Sequence, residues 1–217
     1  VIIDPRGVIL TNAHVAWPYQ IFTDWPTPSL YQCSVRIGSP AKPMYMAKLL
    51  YLPQEFAATS FALMYDYQRE EKWVYGLNDY ALLLITGRTD PSASLPASFP
   101  YLPLYTGPVL PEGSFIYDVG YAAGFLGGMT MQTSLGQAAS PTRVFLRKSI
   151  KDTTDINIFS YLADIAGQAG SSGGPVIKVG GEVVGLNTFV DDFAENTSQQ
   201  IMNALSTTYI DTDLKRD

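Results

Sequence analysis

The stretch at residues 167–175 reads Gly-Gln-Ala-Gly-Ser-Ser-Gly-Gly-Pro and carries the strongest signal for the fold. Four of its first eight residues are glycines, which adopt positive φ at no steric cost and let a backbone approach a ligand closely. A serine in such a turn exposes its hydroxyl while neighbouring N–H groups converge on one point, as an oxyanion hole requires. Taken alone, the stretch is equally compatible with a plain tight turn between strands.

The order of candidate residues along the chain separates the classes of serine hydrolase. Residues 170–174 also fit the G-x-S-x-G elbow of α/β-hydrolases, in which the histidine follows the serine. His14 is the only histidine of the 217 residues and precedes Ser172, which excludes that order. A subtilisin order would need Asp4 as the acid, only ten residues before His14. The order His14, Asp79, Ser172 of the chymotrypsin class remains.

The surroundings of His14 and Asp79 favour this order. A lone histidine is usually an ordinary core or surface residue, but residues 11–14, Thr-Asn-Ala-His, resemble the Thr-(Ala/Asn)-Ala-His element of trypsin-like peptidases. Asp79 has the simple alternative of capping a strand, yet it precedes an apolar run at 81–85, where this class keeps its triad acid. The separations of 65 and 93 residues are close to the usual spread of the family.

The remaining pattern predicts an all-β chain. Short β-branched or aromatic runs bounded by Gly, Pro, Asn and Ser favour a barrel or sandwich over an alternating βαβ fold. We predict strands at 1–3, 8–11, 34–37, 80–85, 114–119, 142–150, 175–179 and 182–189. The periodicity of residues 61–75 predicts a short amphipathic helix in a surface insertion. Residues 91–112 are rich in proline and predict an extended connector.

Three blocks resemble the HtrA (Deg) branch of trypsin-like serine peptidases. Residues 1–15 are similar to its first hairpin, residues 164–175 to its serine loop, and residues 181–188, Gly-Glu-Val-Val-Gly-Leu-Asn-Thr, to its G-E-V-I-G-V-N-T strand. The resemblance implies one peptidase domain of two antiparallel Greek-key β-barrels of the chymotrypsin/trypsin type, over 1–90 and 113–217, joined by the connector. Residues 16–75 and 86–112 resemble nothing in the family.

The resemblance also implies roles. Ser172 would be the nucleophile, His14 the base and Asp79 its orienting acid, with the N–H groups of Gly170 and Ser172 binding the oxyanion. Ser171 is the competing nucleophile. Ala166 would form the floor of the specificity pocket. The edge strand that pairs with the substrate would contain Thr188, Phe189 and Val190. An uncharged floor predicts cleavage after small or medium aliphatic residues in a protein or peptide substrate.

Departures from the family keep two alternatives open. Ser171 stands where the family has Asn, and Ala169 where it has Pro, so we expect the loop to differ in rigidity. The position before the nucleophile is not Asp, so an ion pair with a newly cut N-terminus lacks its acidic partner. One alternative is a catalytically inactive binding module of the same fold. The other is a peptidase with a single narrow cleavage site instead of HtrA-like quality control.

Composition excludes several other classes. The net charge of −6 without a Lys/Arg cluster argues against a nucleic-acid surface. One cysteine and one histidine cannot build a structural zinc site or a disulfide framework, and we expect no metal or cofactor. The apolar runs are too short to span a bilayer, and no signal peptide is visible. A cell-envelope or secreted location is expected from the resemblance alone, and an oligomer is compatible with it.

Overall fold

The chain folds into two antiparallel sheets and a C-terminal helix. The computed structural model describes residues 1–17, 33–56, 78–108, 110–111, 113–121, 132–133, 142–145, 158–163, 170–191 and 200–216. The predicted all-β fold is confirmed by the two sheets in these ranges. The helix predicted at 61–75 lies outside them. Within the same ranges, no helix is long and apolar enough to cross a membrane.

The first sheet contains five strands in the order β1-β2-β5-β4-β3. They are β1 (Ile2–Asp4), β2 (Val8–Thr11), β3 (Cys33–Ile37), β4 (Lys42–Tyr51) and β5 (Ala81–Arg88). The β1–β2 turn needs Gly7, because φ is 90° there and an added Cβ would lie 2.8 Å from the Phe99 ring. The core of this sheet includes Ile9, Tyr45, Ala47, Ala81, Leu83, Ile85 and Phe99.

The second sheet closes on itself. Its strands are β6 (Phe115–Gly120), β7 (Gln132–Thr133), β8 (Thr142–Phe145), β9 (Ile158–Ala163), β10 (Pro175–Lys178), β11 (Val183–Asp191) and β12 (Gln200–Ser206). The order is β10-β11-β12-β9-β8-β6-β7, and β10 also pairs with β6, which makes a barrel of six strands with β7 added to β6. Its interior is formed by Ile116, Val176, Val184, Met202 and Ala204.

A third apolar cluster joins the sheets. Leu10 and Tyr80 of the first half pack with Leu186 and Leu205 of the barrel and with Ile210 of the C-terminal helix, Thr207–Leu214, and all five are fully buried. Residues 99–105 also connect the halves. Their backbone N–H groups donate to carbonyls of Pro5, Ile2 and Val183 across the two sheets. The junction is therefore a packed interface, and the candidate site lies along it.

Candidate active site

Strand pairing explains why His14 and Asp79 meet although 65 residues separate them. Strand β2 runs antiparallel to β5, with Thr11 opposite Ala81. His14 lies three residues beyond the end of β2, in a helical turn at 13–17, and Asp79 lies two residues before the start of β5. The end of one strand and the beginning of its neighbour thus place both residues at the same edge of the sheet.

One carboxylate holds His14 through two hydrogen bonds. Oδ1 of Asp79 accepts from the backbone N–H of His14 at 2.9 Å, and Oδ2 lies 2.8 Å from Nδ1 of the imidazole. The Asp79 side chain is fully buried, whereas that of His14 is 26% exposed. An ionised carboxylate only accepts hydrogen bonds, so Nδ1 carries the proton of this pair and Nε2 is the basic nitrogen of the neutral ring.

Asn12 connects this pair to the barrel. Its Nδ2 donates to the backbone carbonyl of Asp79 at 2.8 Å and to Oγ1 of Thr188 at 3.3 Å. The Thr188 hydroxyl in turn donates to the carbonyl of Leu186 at 2.9 Å. Asn12 is fully buried and Thr188 is 3% exposed. A buried amide therefore spans the junction from the segment of the acid to β11.

Ser172 lies in the glycine-rich turn that leads into β10. Gly170 and Gly173 on either side have φ of 99° and 81°, a region that residues with a side chain rarely adopt. The N–H of Gly174 donates to the carbonyl of Ser171 at 2.9 Å and closes the turn. Ser172 is half-buried, whereas Ser171 is only 3% exposed. Of the two serines, Ser172 is the one that solvent reaches more readily.

The turn packs directly against the end of β2. A Cβ added at Gly173 would collide with Oγ1 of Thr11 and would lie 3.4 Å from the backbone nitrogen of Asn12. Gly173, the residue after Ser172, is therefore in contact with the segment that carries His14. No hydrogen bond within the described part of the chain involves the Ser172 hydroxyl, so the structure brings serine and histidine to one junction without a bond between them.

A cleft of about 420 Å³ opens beside the turn. Apolar side chains of both sheets line it, including Val1, Ile9, Val35 and Ile177, and the turn from Gly170 to Pro175 forms one wall. Ser172 is one of the residues that line this cleft, whereas His14 is not.

The other predicted site residues are placed unequally. Gly170 and Ser172 both lie in the glycine-rich turn before β10. Ala166 lies outside the residues that the structure describes. Strand β11 contains Thr188, Phe189 and Val190, and the register between β11 and β12 shifts between Asn187 and Phe189. Such a bulge re-aims side chains, and the Thr188 side chain points inward to Asn12. Any substrate contact of Thr188 therefore falls to its backbone.

Two contributors escaped the sequence reasoning. Asn12 lies inside the Thr-Asn-Ala-His element, whose pattern predicts no role for its amide, although a buried amide next to His14 needs hydrogen-bond partners. Asp118 is fully buried on β6 and accepts a 2.5 Å hydrogen bond from Nδ2 of Asn187. Nothing in the sequence near Asp118 signals this contact, because the two residues are 69 positions apart.

The C-terminal helix holds the residues beside Asp79. The Tyr80 hydroxyl donates to Oδ2 of Asp213 at 2.6 Å, and the Tyr209 hydroxyl donates to Oδ1 of Asn78 at 2.9 Å. Burial, with the hydrogen bond to Asp213, raises the pKa of Tyr80. Burial, with the nearby charge of Asp213, raises the pKa of Tyr209 to about 12. Both tyrosines therefore stay protonated at neutral pH.

A closed antiparallel barrel, a second antiparallel sheet, and a histidine–aspartate pair on the segment against which a glycine-rich serine turn packs define the class of trypsin-like serine peptidase folds. A family model described as the trypsin-like peptidase domain matches residues 1–186, and the chain belongs to this family.

One solved structure shows the same fold at low sequence identity. The protease domain of MamO from Magnetospirillum magneticum, in its apo form, aligns with a TM-score of 0.57 and 13% identity. The alignment covers 98% of this chain and 85% of that chain. Among curated proteins, no sequence matches this chain.

Proposed function

We propose that this protein is a serine endopeptidase in which Ser172 is the nucleophile, His14 the general base and Asp79 the group that orients the imidazole. The observation that carries the proposal is the pair of hydrogen bonds that the Asp79 carboxylate accepts from the ring and the backbone N–H of His14. Fixing both atoms sets the orientation of the ring and keeps the proton on Nδ1, which a base acting through Nε2 requires.

The reaction would proceed in two halves. Nε2 of His14 takes the proton of the Ser172 hydroxyl as Oγ attacks the peptide carbonyl carbon, and the N–H groups of Gly170 and Ser172 bind the resulting oxyanion. The imidazolium then gives its proton to the leaving amine, which leaves an acyl-enzyme. Water, deprotonated by the same nitrogen, attacks the ester carbon. The imidazolium returns this proton to Oγ of Ser172 as the ester bond breaks, which releases the acid and the free serine.

Substrate recognition would use the exposed edge of β11. Strand β10 pairs with β11 as far as Leu186, and the turn continues this pairing at Asn187. Among the described strands, none pairs with residues 188–191 on that side. An extended peptide would add there as a strand and present its cleaved bond to Ser172. With Ala166 as the uncharged pocket floor, we expect cleavage after small or medium aliphatic residues.

HtrA-like quality control or processing, in the cell envelope or outside the cell, is the physiological role that we propose with this activity. Cleavage of unfolded casein at many sites would support quality control. Cleavage of one defined sequence alone would favour the narrow-specificity peptidase.

An active-site probe tests the proposal. We expect a fluorophosphonate to form one adduct, located on Ser172 by peptide mass, because only an activated serine reacts quickly. Ser172→Ala and His14→Ala should abolish labelling. Ser171→Ala is the matched control, since it removes the neighbouring buried hydroxyl and should keep the adduct. An unlabelled, folded wild-type protein would refute the enzyme and favour the binding module, and an adduct on Ser171 would refute the assignment of Ser172.

A further inference from the structure

The floor of the serine turn is built from the end of β6 and the middle of β11. A Cβ on Gly174 would collide with the carbonyl oxygen of Val119, and it would lie 3.3 Å from Nδ2 of Asn187. A Cβ on Gly120 would lie 3.2 Å from Cβ of Ser171. The turn that carries Ser172 therefore rests on two strands, and its position depends on how these strands stand relative to each other.

Asn187 grips the turn through its backbone. Its carbonyl accepts from the N–H of Gly173, and its N–H donates to the carbonyl of Gly174, both at 2.9 Å. These bonds fix the two residues that follow Ser172. Any movement of Asn187 would be passed to the serine within one residue.

Asp118 ties Asn187 to the other strand of the floor. The two residues flank the start of β10, where Asp118 lies opposite Val176, and the bond from Nδ2 to Oδ1 crosses beneath the turn at 2.5 Å. Both side chains are fully buried, and removing one partner of a buried hydrogen bond carries the desolvation cost of the other. The carboxylate only accepts and the amide nitrogen only donates, so the two groups are complementary.

From these contacts we infer that Asp118 and Asn187 are positioning residues that hold the turn at 170–174 in place, an inference that deepens the proposed function and rests on it for its catalytic consequence. They touch neither the substrate nor the reacting atoms. Their hydrogen bond fixes the separation of β6 and β11 and, through Gly173 and Gly174, the place of the Ser172 hydroxyl and of the two N–H groups that receive the oxyanion.

The test compares Asp118→Ala with a conservative and a matched variant. Asp118→Ala removes the acceptor and should lower kcat for a peptide substrate by about 10- to 100-fold with KM little changed, since a displacement of the order of 1 Å has an effect of this size. Asp118→Asn keeps an oxygen that accepts from Asn187 and should recover most of kcat. Ile116→Ala is two residues away on the same strand and destabilises the barrel core, but should keep kcat.

A second readout does not depend on activity. The Gly173 amide hydrogen should exchange with solvent faster in Asp118→Ala than in the wild type, and not faster in Ile116→Ala. If the wild type fails to react with the fluorophosphonate, the proposed function is wrong, and the exchange rate still decides the positioning role. If Asp118→Ala does not fold, the double variant Asp118→Leu/Asn187→Leu takes its place in the comparison, because it removes both polar groups together.

Three outcomes would overturn the inference. The first is unchanged kcat and unchanged Gly173 exchange in Asp118→Ala. The second is an equal loss of kcat in Ile116→Ala, which would make the effect one of general destabilisation. The third is a loss in Asp118→Asn as large as that in Asp118→Ala, which would exclude this hydrogen bond as the cause.

Discussion

The two halves of the candidate site are held by different kinds of contact. In the first sheet, side chains hold the site together. The Asp79 carboxylate accepts hydrogen bonds from the ring and the backbone of His14, and the Asn12 amide donates to the Asp79 carbonyl. In the barrel, main-chain atoms make the contacts that hold the serine turn directly. Ser172 lies between glycines of positive φ, and its turn is fastened by main-chain bonds to Asn187.

The difference determines what each half tolerates. The histidine half depends on the chemistry of particular side chains, so an isosteric change of charge or hydrogen-bonding type should disable it without unfolding it. Within the serine turn itself, the backbone needs the absence of side chains, so one methyl group added at Gly173 should disable the serine half. The three substitutions below test this contrast in order of expected effect.

The largest effect is expected for Asp79→Asn. The new amide keeps the shape of the carboxylate but offers a donor to Nδ1, which moves the ring proton to Nε2 and removes the base. In serine peptidases, the equivalent change lowers kcat by about 10⁴-fold with the geometry intact. We expect the same loss here, measured as kcat on a peptide substrate, with unchanged circular dichroism.

Asp90→Asn is the control for this change, because Asp90 is an exposed aspartate whose carboxylate accepts hydrogen bonds from the nearby Ser92. It should leave kcat unchanged. A loss of less than about tenfold in Asp79→Asn would contradict the assignment of Asp79 and the view that this half works through side-chain chemistry.

The contrast between the halves also explains how much of the site could be read from the sequence. The glycines at 167–174 predict the serine turn, and His14 is the candidate base because it is the only histidine of the sequence. Asp79 follows from its place before an apolar strand. The contacts of Asn12, Asp118 and Asn187 could not be predicted, because they form between strands that only the tertiary fold brings together.

The fold shows the same division. Strands rich in Val, Ile and aromatic residues, such as β2 and β11, were predicted close to their observed limits. Strands β4, β7, β9 and β12 were missed. Strand β9 was missed although Ile, Phe and Tyr favour a strand there. In β4 and β12 the reason is that residues such as Met46, Lys48 and Leu49 of β4 and Met202 and Leu205 of β12 are good helix formers. Pairing on both sides overrides that preference. The C-terminal helix was missed for the opposite reason, since its Thr, Tyr, Ile and Asp residues are poor helix formers and packing of Ile210 stabilises it.

A smaller effect is expected for Gly173→Ala, which sharpens the comparison from the serine side. The new Cβ would collide with Oγ1 of Thr11 at a φ of 81°. We expect a loss of about 2–5 kcal/mol in the free energy of unfolding, from overpacking and from left-handed strain together, and a fall in fluorophosphonate labelling of about 100-fold.

Gly181→Ala separates the two causes. Gly181 has a similar φ of 88°, but an added Cβ meets nothing within 4 Å. This variant should lose only about 1–2 kcal/mol, from strain alone, and should keep its labelling rate. Urea denaturation of both variants measures the difference. Equal losses in the two would show that the contact between the turn and β2 has no energetic weight.

The smallest effect concerns the C-terminal helix, through which the barrel half reaches the residues on either side of Asp79. Tyr80→Phe removes the bond to Asp213 and should lower the free energy of unfolding by about 1–2 kcal/mol at neutral pH. Because the folded protein raises the pKa of both Tyr80 and Tyr209, it binds more protons than the unfolded chain once the pH exceeds about 10. The contribution of the two tyrosines to the free energy of unfolding is therefore fully present below pH 10 and falls as the pH rises towards 12.

Tyr209→Phe should reduce the loss of unfolding free energy between pH 10 and 12, because it removes the group whose folded pKa is about 12. Tyr101→Phe is the matched control, since that side chain is 49% exposed and should leave this loss unchanged. Urea denaturation at pH 8, 10 and 11 measures all three proteins. If Tyr209→Phe loses stability as steeply as the wild type above pH 10, the burial of Tyr209 does not contribute to the alkaline loss of stability.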